Sequence, residues 1–180
     1  MATCIALLRG INVGGRNRLA MADLRELCTQ LGFGDVQTYV QSGNVVFTTD
    51  RDDLATIATE LTEQLEYQLG VEPTVMIRTR DEFASVVANN PFVAEADADP
   101  TKVHAALLSA EPDDPTTLEF DPEAYAPEVI ASGDRVRYLH VPSGLGRSRL
   151  ATDLTKRRTG VEITVRNWRT VTNLLEMAEG

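Results

Sequence analysis

Apolar residues in the first half of the chain recur with two spacings, one typical of strands and one typical of helices. Thr3 to Arg9 is a nearly continuous apolar run, as expected of a strand buried on both faces. The leucines between Leu54 and Leu69 recur at helical spacing. The pattern predicts the order βαββαβ, with elements at 3–9, 21–31, 36–41, 45–49, 54–69 and 73–78.

The second half repeats this order less clearly. A short helix at 81–88 should end at Asn89-Asn90-Pro91-Phe92, because the residue before a proline disfavours helix. A basic helix at 148–158 and a last helix capped by Asn167 are the most regular parts. The remaining predicted elements are a strand at 102–109, a weak helix or turn at 113–120, a hairpin of 128–132 with 135–141, and a strand at 161–165.

These elements predict an α+β protein of two tandem ferredoxin-like (βαββαβ) subdomains with antiparallel sheets, plus a C-terminal helix. Residues 94–101 are the best candidate for a boundary between the halves. We therefore expect an N-terminal subdomain with a linking helix at 1–93 and a C-terminal subdomain with its helix at 94–180.

Charge is distributed unevenly along a chain of net charge −10. Residues 50–135 carry 20 acidic and 5 basic residues, whereas the two ends are mildly basic. This balance argues against general attraction to nucleic acid or acidic membranes. The first apolar run is too short for a signal peptide or a membrane span, so we expect a cytoplasmic protein without a membrane partner.

A glycine-rich loop between the first strand and the first helix is the main candidate for chemistry. Three arginines fall within Arg9 to Arg18, and Gly14 and Gly15 allow close backbone approach. Such a loop beside a helix N-terminus suits an anion, although a glycine-rich turn with solvated arginines is the alternative. The loop has neither the spacing of a P-loop nor that of a dinucleotide fingerprint.

Three other stretches add candidate ligand-binding residues. Ser42-Gly43-Asn44 is a tight turn that can also orient a ligand. The Gly144 to Arg149 stretch, like the first loop, has glycines followed by basic residues. Near the C-terminus, Asn167 also fits a helix cap and Trp168 a core position. The full predicted ligand-binding set is Arg9, Asn12, Gly14, Gly15, Ser42, Asn44, Arg147, Ser148, Arg166, Asn167 and Trp168.

Catalytic groups are harder to assign. The chain has two isolated histidines, His104 and His140, and two cysteines that do not form a CxxC pair. These residues give no credible set of metal ligands, so we expect no metal site. No acid–base pair stands at a recognisable spacing. Catalytic residues, cofactor, oligomeric state and whether the protein is an enzyme stay undetermined.

Six segments that run from the first strand to the last helix form a specific combination of motifs. They are Leu7 to Gly15, Tyr39 to Phe47, Asn90-Pro91-Phe92, Gly144 to Leu150, Arg166-Asn167-Trp168 and Thr170-Val171. Together these segments resemble the domain-of-unknown-function family 1697 (DUF1697), and the resemblance implies paired ferredoxin-like subdomains without known catalytic residues. Arginine stands at positions 16, 18 and 149, where family members often have lysine, which keeps the charge, and Arg169 adds a charge where they often have a small polar residue.

Three functions compete at this point. The first is binding of, or action on, a small anionic or phosphate-bearing ligand in one cleft around Arg9, Asn44 and Arg166. The second is a nucleic-acid-binding module, which the few strand aromatics (Tyr39, Phe47 and Tyr138) and the acidic charge make less favourable. The third is a non-catalytic interaction or assembly protein.

Overall fold

The computed structural model describes all residues, Met1–Gly180, as an α+β protein with two four-stranded antiparallel sheets and seven α-helices. Contacts divide the chain into two compact units, Met1–Ala84 with Asn173–Gly180, and Ser85–Thr172. The predicted division into subdomains at 1–93 and 94–180 stays a prediction. No helix is long and apolar enough to cross a bilayer.

The sheet of the first unit has the strand order β2-β3-β1-β4. Cys4 to Leu8 on β1 are buried, so the apolar run lies at the centre of the sheet as its composition predicts. The helical stripes Met21 to Cys28 and Ile57 to Leu65 pack against one face of this sheet. The elements are β1 (Ala2–Arg9), α1 (Met21–Gln30), β2 (Gly34–Tyr39), β3 (Asn44–Thr49), α2 (Leu54–Leu69) and β4 (Thr74–Thr79).

The sheet of the second unit has the order β6-β7-β5-β8. Leu150 and Leu154, on the helix Arg149–Lys156, are fully buried against Ala106, Leu108 and Leu139 of the sheet. The elements that follow β4 are α3 (Arg80–Ala88), α4 (Val93–Ala98), β5 (Val103–Leu108), α5 (Pro122–Tyr125), β6 (Val129–Gly133), β7 (Val136–His140), α6 (Arg149–Lys156), β8 (Ile163–Asn167) and α7 (Trp168–Glu179).

The structure differs from the sequence prediction mainly around the expected boundary. The sequence does not predict the short helix α4 (Val93–Ala98), which overlaps the candidate boundary at 94–101 and in which only Ala96 is buried. A six-residue helix with one buried position shows no periodicity to detect. The weak helix or turn expected at 113–120 is a 3-10 turn at Pro115–Leu118, followed by the four-residue α5.

Candidate functional site

The glycine-rich loop folds into a tight hairpin turn at its tip. The backbone N–H of Arg16 donates to the carbonyl of Val13 at 3.1 Å, and the two residues between them have positive φ, 59° at Gly14 and 77° at Gly15. A two-residue turn with positive φ at both central positions strongly favours glycine. The Gly14-Gly15 pair is therefore required by the turn itself.

Asn12 anchors this loop through its side-chain amide. Its Nδ2 donates to the carbonyl oxygens of Leu19 at 2.9 Å and Gln41 at 2.8 Å, and its Oδ1 accepts from the N–H of Leu19 at 2.9 Å. Asn12 also has a φ of 53°, a left-handed conformation that asparagine tolerates better than most residues. The amide of Asn12 thus holds the loop in shape.

The Ser42-Gly43-Asn44 turn packs directly against the loop, so two of the predicted stretches meet. The N–H of Leu8 donates to the carbonyl of Gly43 at 2.7 Å, and a Cβ at Gly43 would lie 2.6 Å from Cδ1 of Ile11. Only glycine allows this approach. Asn44 is fully buried, and its Nδ2 donates to the carbonyl of Tyr39 and to Oγ of Ser42 at 3.0 and 2.9 Å.

The arginines of the loop have different surroundings. Arg9 is half-buried and donates to Oγ1 of Thr74 at 3.2 Å. Arg16 and Arg18 are exposed. Arg18 lines an open depression of about 570 Å³ together with Asn12, Gly15, Leu19, Ala20 and Asp23. A positive side chain and a glycine turn therefore border the same open space.

The N-terminus of α1 opens on this depression without a side-chain cap. The cap position is Ala20, whose backbone (φ −73°, ψ 136°) has the extended conformation usual at an N-cap, but alanine offers no oxygen to the first N–H groups. These amide groups and the helix dipole favour an anion. Asp23, in the first turn, contributes the opposing negative charge.

In the other long helices, side chains of the protein accept from N–H groups of the first turn. In α6, Oγ of Ser148 accepts from the N–H of Ala151 at 2.9 Å, and the Glu128 carboxylate accepts from the N–H of Leu150 at 2.9 Å. Ser148 therefore caps α6, and a carboxylate of the protein itself occupies this helix N-terminus. Caps for α2, α3 and α7 come from Asp53, Thr79 and Asn167.

The predicted residues near the C-terminus lie in varied surroundings within the second unit. Arg147 is exposed in the turn before α6. Arg166 is half-buried on β8 and donates to the carbonyl of Val165 at 3.1 Å; burial lowers the pKa of Arg166 to about 10. Asn167 caps α7 by accepting from the N–H of Thr170, and Trp168 is buried beside Tyr138, with ring centroids 6.3 Å apart.

Two parts of the site hypothesis stay predictions. One is a single cleft shared by Arg9, Asn44 and Arg166, and the other is the ligand-binding role of the whole predicted set. Sequence reasoning included Arg18 in the arginine count but not among the binding residues, and it missed Ala20. The available signal was the alanine itself, standing before a helical stripe where Ser, Thr, Asp or Asn usually caps.

No three histidine, cysteine, aspartate or glutamate side chains are grouped as a metal site would need. His104 is buried on β5, and burial lowers its pKa to about 4. Burial also raises the pKa of the Cys28 thiol to about 12, which makes it a poor nucleophile. These groups are therefore part of the core.

Comparison with known families connects this geometry to a described group of proteins. The family model "Protein of unknown function (DUF1697)" matches residues 1–138, which include the glycine-rich loop and the Ser42-Gly43-Asn44 turn. The chain belongs to this family. The expected DUF1697 membership is confirmed, although the match ends before the Gly144 to Leu150 and Arg166-Asn167-Trp168 segments. None of the curated proteins matches the chain.

One solved structure extends the DUF1697 comparison to the second unit. The conserved bacterial protein SP0830 from Streptococcus pneumoniae is similar over 98% of each chain, with a TM-score of 0.74 and 24% sequence identity. At this identity the likeness concerns the fold alone. It covers residues beyond the range that the family model matches.

Proposed function

We propose that this DUF1697 protein binds a small anionic or phosphate-bearing ligand at the N-terminus of α1, beside the glycine-rich loop. The observation that carries the proposal is the uncapped start of α1 at Ala20, which opens on a depression bordered by Arg18 and Gly15. Free helix amides supply directed donors, and the guanidinium supplies charge and a bidentate fork. No reaction is included in the proposal.

The rigid anchoring of the loop supports this function. Three hydrogen bonds of Asn12 and the packing of Gly43 against Ile11 hold the loop in place without using Arg16 or Arg18. A preorganised loop loses little conformational entropy when a ligand binds. Asp23 also lines the depression and weakens binding of any anion there, so the attraction has to come from Arg18 and the first N–H groups of α1.

The nucleic-acid alternative is less well supported because two of its three strand aromatics are buried and the third, Tyr39, is partly buried. Phe47 is fully buried, Tyr138 is 1% exposed, and Tyr39 accepts a hydrogen bond from Asn173 at 2.7 Å. RNA-recognition sheets stack bases on exposed aromatic rings. The remaining alternative, an interaction or assembly protein, has no specific observation in its favour.

We further infer that each unit has the ferredoxin-like arrangement. Support comes from the strand orders β2-β3-β1-β4 and β6-β7-β5-β8, in which the first strand of each unit lies between the third and the fourth. The chain order of the first unit is βαββαβ. In the second unit, the short α5 takes the place of the first helix.

A thermal-shift experiment tests the anion site. The protein is melted with phosphate, pyrophosphate, a sugar phosphate, a nucleoside diphosphate and citrate, each matched in ionic strength with potassium chloride. A ligand at 100 times its Kd stabilises the folded state by about 2.7 kcal/mol. For a chain of this size, that free energy raises Tm by roughly 5 to 10 °C.

Two arginine variants make the result specific. We expect Arg18→Ala to abolish most of the shift and Arg158→Ala to leave it unchanged, because Arg158 is an exposed arginine in the second unit, just after α6. Both substitutions remove one positive charge. Equal shifts in the two variants, or no shift with any anion, would rule out the α1 site.

A further inference from the structure

A second cavity, in the second unit, has a different chemical character. It has a volume of about 180 Å³, and most of its wall is apolar. We propose that it binds a small organic cation with an aromatic or branched apolar body, such as a primary amine. The residues that carry this inference are Phe120, Tyr125, Ile130 and Leu150 for the body, and Glu128 and Asp121 for the charge.

The apolar wall is held in a defined geometry. The rings of Phe120 and Tyr125 meet edge to face, with centroids 5.5 Å apart and planes inclined by 76°. The phenol of Tyr125 donates to Oδ2 of Asp153 at 2.8 Å, which fixes the ring on α6. Leu150 is fully buried, so the floor of the cavity is part of the core. A preformed apolar pocket of this kind takes a ligand with little reorganisation.

Glu128 supplies the polar anchor. Its Oε2 accepts from Oγ of Ser148 at 3.1 Å and from the N–H of Leu150 at 2.9 Å. These bonds hold the carboxylate on the cavity wall, and both use the same oxygen. The other oxygen, Oε1, accepts no hydrogen bond from the protein and is available to a ligand N–H. A carboxylate accepts more strongly from an ammonium than from a neutral donor.

The surrounding charge also favours a cation. Residues 103–134 include eight aspartates and glutamates and no lysine or arginine. Asp121 lines the cavity with one carboxylate oxygen accepting from the N–H of Glu123 at 3.0 Å. Arg149 and Arg157 lie over the rings of Tyr125 and Phe120, 5.5 and 3.8 Å from the ring centroids, and neither lines the cavity. The wall that a ligand meets is therefore apolar and negative.

Three probes of similar shape and different charge test the proposal: benzylamine, benzyl alcohol and benzoate. Each is titrated into isotopically labelled protein, and the backbone amide signals are followed by NMR. We expect saturable changes confined to the cavity, at Tyr125, Val129, Ile130 and Leu150, with benzylamine. Benzyl alcohol should bind about tenfold more weakly, because it lacks the charge-assisted bond, and benzoate should produce no localised change.

Matched variants separate the cavity from the general acidity of the segment. Glu128→Gln keeps the shape and the oxygen acceptor but removes the charge, so benzylamine should fall to the affinity of benzyl alcohol. Glu123→Gln removes the same charge from an exposed residue outside the cavity and should change nothing. Should Glu128→Gln fail to fold, Asp121→Asn replaces it, with a smaller loss of benzylamine affinity expected.

Three results would overturn the proposal. The first is the absence of localised changes with every probe. The second is equal binding of benzylamine and benzoate. The third is equal loss of benzylamine binding in Glu128→Gln and Glu123→Gln. None of these results affects the α1 site, whose ligand is an anion bound by different residues.

Discussion

Nδ2 of Asn12 lies 2.8 Å from the carbonyl oxygen of Gln41, joining the glycine-rich loop to the turn between β2 and β3. The same amide group closes the loop on itself through Leu19. One side chain therefore fixes both the inner shape of the loop and its position beside the turn. The arginine side chains of the loop take no part in these bonds, so the order of the loop does not depend on their positive charge.

Substitution Asn12→Ala removes three hydrogen bonds and places alanine at a φ of 53°. At about 1 kcal/mol for each typical bond, partly offset by access of water to this exposed position, we expect a loss of about 2 kcal/mol in the free energy of unfolding. Urea denaturation followed by circular dichroism measures it.

Gln41→Ala is the matched control for this prediction. Only the backbone carbonyl of Gln41 takes part in the bond, and its side chain is exposed. We expect a change within about 0.5 kcal/mol, as for an ordinary surface substitution. Equal destabilisation by the two variants would show that the Asn12 amide does not hold the loop.

The sequence predicted the elements with strong periodicity. The buried run Thr3 to Arg9 and the stripe from Leu54 to Leu69 appear as β1 and α2, because burial on a sheet or a helix face imposes a spacing on apolar residues. The short helix α4 was missed because one buried residue creates no spacing. Local periodicity thus identifies an element only when several of its positions are buried.

The candidate site was predictable only in part, for a related reason. Gly14 and Gly15 mark a turn by their own conformational freedom, so the loop could be found in the sequence. The capping of α6 by Glu128 joins residues 22 positions apart, and no local pattern reports such a contact. The missing cap at Ala20 is visible in the sequence, but its meaning depends on the depression beside it.

His104 gives the protein a pH dependence that follows from burial. Its pKa is about 4 in the folded protein and about 6.5 in the unfolded chain. The unfolded chain therefore binds more protons between these values, so stability rises with pH through this window and falls on acidification. At pH 5, His104 should cost about 2 kcal/mol relative to pH 7.

The measurement compares urea unfolding at pH 7 and pH 5 in the parent protein and in His104→Gln. The variant should lose less stability on acidification, by about 2 kcal/mol, whatever its stability at pH 7. His140→Gln, on the adjacent strand β7, controls for removal of a histidine. An unchanged pH dependence in His104→Gln would mean that His104 does not resist protonation.

Arg137 is buried on β7, and its charge is compensated by the carboxylate of Glu111, which lies nearer the surface. It makes a bidentate pair with Glu111, with Nη2 2.9 Å from Oε2, and the arginine side chain is 6% exposed while the glutamate side chain is 44% exposed. Removing one partner of a buried pair leaves a charge without compensation. We expect Glu111→Ala to cost about 2 kcal/mol, below the value for a fully buried pair because water reaches this side.

The double variant Glu111→Ala with Arg137→Met distinguishes a loss of charge compensation from a loss of packing. Methionine fills part of the space of the arginine without a charge to satisfy. We expect the double variant to be at least as stable as Glu111→Ala alone in urea denaturation. A strictly additive loss from the two substitutions would show that the pair is not coupled.

Adding the missing cap to α1 links stability to the proposed function. Ala20 already has the extended backbone of an N-cap, so Ala20→Asp can accept from the first N–H groups without rearrangement. We expect a gain of about 1 kcal/mol in stability, and the new carboxylate should occupy the place of the anion. The shift in Tm produced by phosphate compounds should then disappear.

Ala20→Ser separates the two effects of that carboxylate. A serine hydroxyl caps the helix by a similar amount but adds no charge, so stability should rise while part of the anion response remains. Parallel melts of both variants and the parent, with and without pyrophosphate, measure stability and binding together. A bound anion and the carboxylate introduced by Ala20→Asp compete for the same N–H groups at the start of α1. If Ala20→Asp is stabilised and its anion response is undiminished, the anion binds elsewhere.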